Sequence, residues 1–255
     1  MTEQMPPSGE TSSRTGARSR AAEGLEVLTG VHSHGTGARV RISDFVYDEL
    51  TEAIRSLRLP PGTPLSEPGV AAQLQVSRAP VREAFTRLAD QGLVSIKPQV
   101  GSQVAPISMR AVNDAVFLRR ALEKSAFQQA IQFDNLDTSE LRDLANRNAD
   151  AAKRGDGDEF FETDEELHHL VFALAGVPQI WEIVRGAKVH LDRLRRLNLP
   201  GAMANGEIVD EHHLIVDAIA NRDEAAGLAV IHKHSTRVIN DSGKLREGFP
   251  EYFIS

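Results

Sequence analysis

The 255-residue chain contains no cysteine. Disulfides and thiolate metal sites are therefore excluded, and any metal would have to be held by histidine and carboxylate. No apolar run approaches the roughly 18 residues from which a membrane-spanning helix is read. The N-terminus, MTEQMPPSGETSSRTG, lacks the basic-then-apolar order of a secretion signal. The expectation is a cytoplasmic protein with no membrane partner. Positive charge is also short, with a net charge of −7, but the deficit is uneven. Residues 1–40 hold 4 basic and 4 acidic side chains, residues 41–106 hold 7 and 7, and residues 107–255 hold 18 and 25. A neutral segment can still bind phosphates if its arginines share one face, whereas the whole-chain balance does nothing for nonspecific polyanion binding. What remains, 41% hydrophobic and 25% charged, is ordinary for a globular protein, and the length accommodates two domains.

The most informative stretch is SRAPVREAFTRLADQGLVSIKPQVGSQV, from Ser77 to Val104. Val81, Ala84, Phe85 and Leu88 fall at the 3.6-residue period of a helix with one buried face. Ser77 is placed to cap it, and Pro80 lies early enough that its missing N–H breaks no intrahelical bond. Arg78 and Arg82 sit one turn apart, beside the apolar stripe. Gln91-Gly92 then stops the helix. Two β-prone runs, Leu93–Lys97 and Ser102–Val104, flank a turn from Pro98 to Gly101 and predict a hairpin. A helix with basic residues at its N-terminal end, followed by a small hairpin, is the pattern of a winged helix-turn-helix facing the DNA major groove.

Upstream, residues 1–40 are rich in Ser, Thr, Gly and Glu and predict a disordered tail, with AAEGLEVL as a transient helix. Ser43 is the expected cap of a helix carrying Val46, Leu50, Ala53, Ile54 and Leu57, which ends before Leu59-Pro60-Pro61-Gly62. Leu65 reads as a short extended link, and a second short helix runs from Glu67 to Leu74 behind a Ser66 cap. Gln75-Val76 makes the turn into Ser77. The winged domain thus spans residues 41–106.

These residues resemble the DNA-binding domain of the GntR family of bacterial transcription regulators. The family's pattern is matched by Pro61-Gly62, Leu65-Ser66-Glu67, Val76 to Ala84, Gly92-Leu93 and Gly101. Two positions depart from it. Gln75 stands where the family usually has glycine, at a strain of roughly 1 kcal/mol in a left-handed turn. Pro68 stands where some members carry an arginine that contacts DNA. The resemblance implies that Arg78 and Arg82 touch DNA, that Ser77 meets a phosphate, and that the wing near Gly101 follows the minor groove. An arginine presents two parallel donors to guanine O6 and N7, and a helix N-terminus suits a phosphate. Arg87 and Lys97 are weaker candidates, with solvated surface as the equal alternative.

Residues 107–255 turn wholly helical. Six helices are expected, over 109–132, 138–154, 157–175, 179–198, 207–221 and 223–241, forming an all-α bundle. Asp164 and His168, four apart, share one helix face, while His169 points elsewhere. His212 falls in line with Ile215 and Ile219, with His213 facing out, and His234 falls in line with Val230, Ile231 and Val238. One Asp and three His converging in a bundle suit a divalent first-row metal such as zinc, manganese or nickel, with positions left open for a ligand. The chain has nine histidines, so spacing alone leaves simple burial open as well. His190 is open in the same way, as ligand neighbour or as packing.

The helical half is similar to the FCD effector-binding domain that follows many GntR-type DNA-binding domains. The residues carrying the likeness are Arg119-Arg120-Ala121-Leu122-Glu123, Asp164 to His168, Glu211-His212 and His234. The resemblance implies that Asp164, His168, His212 and His234 hold a metal, with zinc foremost. It also implies a small organic acid bound beside the metal, with Arg119 pairing to its carboxylate. The six-helix count points to the VanR-like branch rather than the seven-helix FadR-like one.

The expected protein is mainly α: a winged helix-turn-helix followed by an FCD-like bundle for effector binding and dimerisation. Its expected function is that of a ligand-responsive transcriptional repressor or activator, not an enzyme. One short helix reads too few base pairs, so a homodimer on a pseudo-palindromic operator is expected. The effector would act by binding one arrangement of the dimer better than the other. The alternatives are a metal-dependent enzyme in the helical domain and a DNA-binding dimer without an effector.

Overall fold

The computed structural model describes residues 25–28, 41–97, 99, 101–134 and 136–254, and the chain divides into two compact units, Met1–Pro106 and Ile107–Ser255.

In the first unit, α1 (Ile42–Arg55) buries Val46, Leu50, Ala53 and Ile54. Its N-cap is Arg41, without a side-chain capping bond, and Ser43 is buried inside the first turn rather than capping it. The chain then turns through Leu57, in the left-handed region at φ 62°, and reaches β1 (Pro64–Leu65). Helix α2 (Glu67–Gln73) begins at Ser66, whose Oγ accepts from the Gly69 amide at 3.1 Å. Gln75 adopts the left-handed turn at φ 56°. Helix α3 (Arg78–Asp90) follows, and β2 (Val94–Lys97) and β3 (Gly101–Val104) form the hairpin. Gly101, at φ 128°, occupies backbone space that a side chain would strain. The extended link at Leu65 is in fact a strand: β1 pairs with β3 to give an antiparallel sheet of order β1-β3-β2.

The disordered tail expected over residues 1–40 gives way at residues 25–28. There Leu25 and Leu28 are buried, Val27 O accepts from Arg58, and Leu28 O accepts from Gln73 Nε2 at 3.4 Å. These residues form a turn, not a helix. The rest of that tail lies outside the described residues.

The second unit has seven α-helices among the described residues, not six: α4 (Met109–Ala130), α5 (Ser139–Arg154), α6 (Gly157–Leu174), α7 (Gln179–Ala187), α8 (Val189–Asn205), α9 (Glu207–Ala220) and α10 (Glu224–Gly248). The expected helix over 179–198 is two helices broken at Lys188, and the six-helix basis for the VanR-like assignment is gone. Lys188 leaves helical geometry (φ −103°, ψ 13°), and its buried ammonium is bound by Asp192 Oδ1 and Oδ2 at 2.8 and 2.7 Å and by Glu165 Oε2 at 2.5 Å. Helix α8 runs on through Pro200, and α10 continues seven residues past the expected end at 241 to Gly248.

One core gathers Phe127, Leu141, Leu167, Phe172, Trp181 and Ile219 with their neighbours; a second gathers Ile107, Val112, Val116, Leu191, Leu194 and Phe253. The second core closes the unit on itself. Ile107 and Phe253 form a parallel bridge, with the Ile107 amide donating to Tyr252 O at 2.7 Å. Among the described residues no helix is long and apolar enough to cross a membrane.

Candidate functional site

On α3 the four apolar residues Val81, Ala84, Phe85 and Leu88 are buried, which turns the opposite face outward. Ser77, Arg78, Arg82 and Gly101 are all exposed. Ser77 occupies the N-cap position, but its hydroxyl makes no capping hydrogen bond, contrary to expectation. The first-turn amides are therefore not closed by that side chain and remain open to an anion. Arg82 donates from Nε and Nη2 to the Glu67 carboxylate. Arg87 binds Asp44 Oδ1 at 2.7 Å and lies over the Tyr47 ring at 3.8 Å, contacts that tie α3 to α1.

In the helical unit the structure brings Asp164, His168, His212 and His234 together. One ligand atom from each lies within 4.8 Å of the others, and all four residues are buried. Helix α6 supplies Asp164 and His168 from adjacent turns, α9 supplies His212, and α10 supplies His234. His168 Nε2 and His234 Nε2 are 3.1 Å apart, and His212 Nε2 is 3.3 Å from Asp164 Oδ1 without a hydrogen-bond partner. Ligands about 2.1 Å from one ion lie about 3–4 Å from each other, the spacing of the His168–His234 and His212–Asp164 pairs.

Each imidazole turns its other nitrogen to an oxygen. Glu123 Oε1 lies 3.3 Å from His168 Nδ1, Asn148 Oδ1 lies 3.0 Å from His212 Nδ1, and Glu211 Oε2 lies 3.3 Å from His234 Nδ1. Asn148 is itself fixed, because its amide donates to Phe160 O at 2.7 Å and to Thr163 Oγ1 at 3.0 Å. Its oxygen therefore faces His212, Nδ1 must carry the proton, and the Nε2 lone pair points to the common centre. Burial pushes the His234 pKa down to about 4 and that of His168 well below its usual value, keeping both neutral and able to donate a lone pair. Burial alone would raise the Asp164 pKa, but Arg195 and the neighbouring imidazoles bring it well below the usual carboxylate range.

A pocket adjoins this centre, with Asp164, His234, Arg119, Arg195 and Arg237 in its wall and Phe160, Leu191 and Val238 supplying apolar surface. Arg119 is buried, with Nε on Glu123 Oε1 at 2.5 Å, while its Nη2 has no partner. Arg195 binds Asp164, Glu165 and Asp192. Arg237 binds Glu207 and Glu211. His190 is not part of the centre: it is buried near the second core, where its Nδ1 accepts from the Ser108 amide at 3.3 Å. His169 is exposed, and His213 is half-buried and bonded to Val209 O.

The sequence reading missed Asn148, Arg195 and Arg237. No local spacing distinguishes Arg195 from Arg193 and Arg196, and Asn148 sits among alanines with nothing to set it apart from Asn146. Glu123 and Glu211 were visible only as members of motifs, without their role beside the imidazoles.

Comparison with known proteins bears on both units. The family described as bacterial regulatory proteins, gntR family, matches residues 42–104, and the FCD domain matches residues 114–237. An HTH-type transcriptional regulator in an unstable DNA locus of Streptomyces ambofaciens is 36% identical over 211 residues, covering 82% of this chain and 89% of the relative. The HTH-type transcriptional repressor RspR of Escherichia coli is 30% identical over 213 residues, covering 83% and 93%. Among solved structures, McbR/YncC of E. coli superposes with a TM-score of 0.67 at 21% identity, covering 82% of this chain and 99% of that one, and shares the fold. With a helix-turn-helix match on one unit, an FCD match on the other and a relative aligned across both, the chain belongs to the GntR family of bacterial transcriptional regulators, in the group that carries an FCD domain.

Proposed function

We propose that this regulator is a ligand-responsive repressor that binds a pseudo-palindromic operator as a homodimer and is released by a small carboxylate taken up beside a metal ion. Repression is the role named for the relatives RspR and the gluconate operon repressor of Bacillus subtilis. The observation that carries the effector side is the orientation of three imidazoles: each has an oxygen partner at Nδ1 and its Nε2 turned to one point shared with Asp164. Asp164, His168, His212 and His234 would hold a divalent first-row ion, zinc by preference, with manganese and nickel as alternatives. Such an ion would supply a positive point with open positions toward which a carboxylate oxygen is drawn.

The chain's own residues do the rest. Arg119, with one unpartnered buried nitrogen, pairs with the incoming carboxylate, and Arg195 keeps Asp164 ionised. Phe160, Leu191 and Val238 exclude water from the remainder of the effector. At the other unit, Arg78 and Arg82 read base edges, Ser77 and the first-turn amides take a phosphate, and the wing at Gly101 follows the minor groove.

Elemental analysis of protein purified without chelator tests the metal. About one equivalent of metal per chain is expected, and none in the His212→Ala/His234→Ala variant; an empty wild-type site would overturn the assignment. On the DNA side, Arg78→Ala and Arg82→Ala should each cost about 1–3 kcal/mol of operator discrimination. Gel-shift curves unchanged by both would reject it.

A further inference from the structure

Arg82, the proposed reader of base edges, has a guanidinium that is already engaged. Nε lies 3.0 and 3.3 Å from Glu67 Oε1 and Oε2, and Nη2 lies 3.0 Å from Glu67 Oε2. The arginine side chain is 70% exposed and the glutamate 30%, and an ion pair so open to water adds little to stability. The geometry is more informative than the energy. A guanidinium has two usable edges: a side edge made of Nε–H and one Nη2–H, and an end edge made of Nη1–H and the other Nη2–H. Glu67 occupies the side edge. Guanine O6 and N7 require two parallel donors, and the end edge remains to supply them.

Glu67 is itself held. It is the first residue of α2, directly after the Ser66 cap and directly before Pro68, whose ring fixes its own backbone angle. The carboxylate stays ionised, since its bond to Arg82 lowers its pKa against the small effect of burial. An unbraced arginine on an exposed helix samples many rotamers and contacts phosphate as readily as a base. One braced along its side edge by a fixed carboxylate loses less freedom on binding and keeps its planar fork in one orientation. A negative charge at that place also repels phosphate, which penalises backbone contacts in the wrong register.

We infer that Glu67 is a specificity-determining positioning residue: by holding the side edge of Arg82 it aims the end edge at a guanine, so that one base pair in each half-site is chosen by α2 and α3 together. The inference rests on the reading of Arg82 as a base reader, and the test separates the two.

An operator is first recovered by selection from random duplex DNA with the full-length wild-type protein. Binding to that operator and to duplexes substituted at each position is then measured for wild type, Glu67→Gln, Glu67→Ala and Arg82→Ala. Arg82→Ala should identify one guanine position per half-site whose preference collapses. Glu67→Ala should relax the preference at that same position by at least about fivefold, the low end of a bidentate contact, with other positions unchanged. It should also bind unrelated duplex DNA as well as wild type or better. Glu67→Gln, whose amide oxygen still accepts from the arginine, should fall between. Full preference in Glu67→Ala beside a collapse in Arg82→Ala would overturn the role of Glu67 and leave Arg82 as reader. Tighter operator binding by Glu67→Ala with preference kept would overturn it too, because Glu67 would then be a competitor for the arginine. No collapse in Arg82→Ala would remove both. Melting temperatures unchanged from wild type show that the folds compared are the same.

Discussion

A single amide determines which nitrogen of His212 bears the proton. Asn148 can donate to the Phe160 carbonyl only with its nitrogen, so its oxygen is left for His212, and the imidazole presents a lone pair to the centre. Asn148→Leu should leave the helices in place and weaken metal binding about 10–100-fold, measured by competition with a chromophoric chelator. His190 gives a second residue-scale expectation. Burial, helped by the nearby Arg193, pushes its pKa down to about 4, and its neutral Nδ1 accepts from the Ser108 amide. The unfolded chain binds a proton at this residue near its ordinary pKa, so between about 6.5 and 4 the unfolded state holds more protons than the folded one. Stability therefore rises with pH across that window and is lost on acidification, by up to about 3 kcal/mol for this group alone. In chelator, His190→Gln should show a shallower fall in melting temperature from pH 7 to pH 5 than wild type; parallel curves would show that His190 is not the group involved.

Helices α4 and α10 approach so closely at Gly227 that a Cβ there would lie 1.9 Å from Phe127 Cζ and 2.5 Å from Cε1 and Cε2 of the same ring. Gly227→Ala should destabilise by about 1–3 kcal/mol in thermal or urea unfolding, and Phe127→Leu added to it should recover part of that loss, since the ring is what obstructs. The break between α7 and α8 is another property of elements rather than residues. Removing the Lys188 ammonium would leave Asp192 buried with one fewer cation, and Lys188→Ala should cost about 3–5 kcal/mol. These contacts show where a sequence can be read and where it cannot. The α3 stripe, the Ser66 cap and the Gln75 turn were legible because each depends on residues a few positions apart. The break at Lys188 depends on Glu165, on another helix, and Gly186 two residues earlier is too weak a signal to place it. Strand β1 was invisible for the same reason, since Pro64 and Leu65 pair with Gln103 and Ser102. In the buried Asp/His cluster the four inner residues could be found from helical phase and motif, whereas Asn148, Arg195 and Arg237 become meaningful only once helices pack.

Across the molecule, the four inward-facing side chains come from α6, α9 and α10, so an ion there would cross-link helices that are far apart in sequence. Chelation should lower the melting temperature of the wild type and leave that of His212→Ala/His234→Ala unmoved. A carboxylate present at 100 times its dissociation constant should add about 2.7 kcal/mol to the metal-loaded protein, which a panel of small acids in a thermal-shift assay would detect. The acidic excess of residues 107–255 keeps that half from competing for phosphate, leaving DNA contact to a unit whose charges balance. The bridge between Ile107 and Phe253 also means that the helical half is topologically a near-closed loop, its entrance and exit side by side. A gene rearranged to join those two points through a short linker and reopened at the exposed Asn221–Asp223 turn would encode the same helices in a new order, giving up the hydrogen bonds of that turn while keeping both apolar cores of the half.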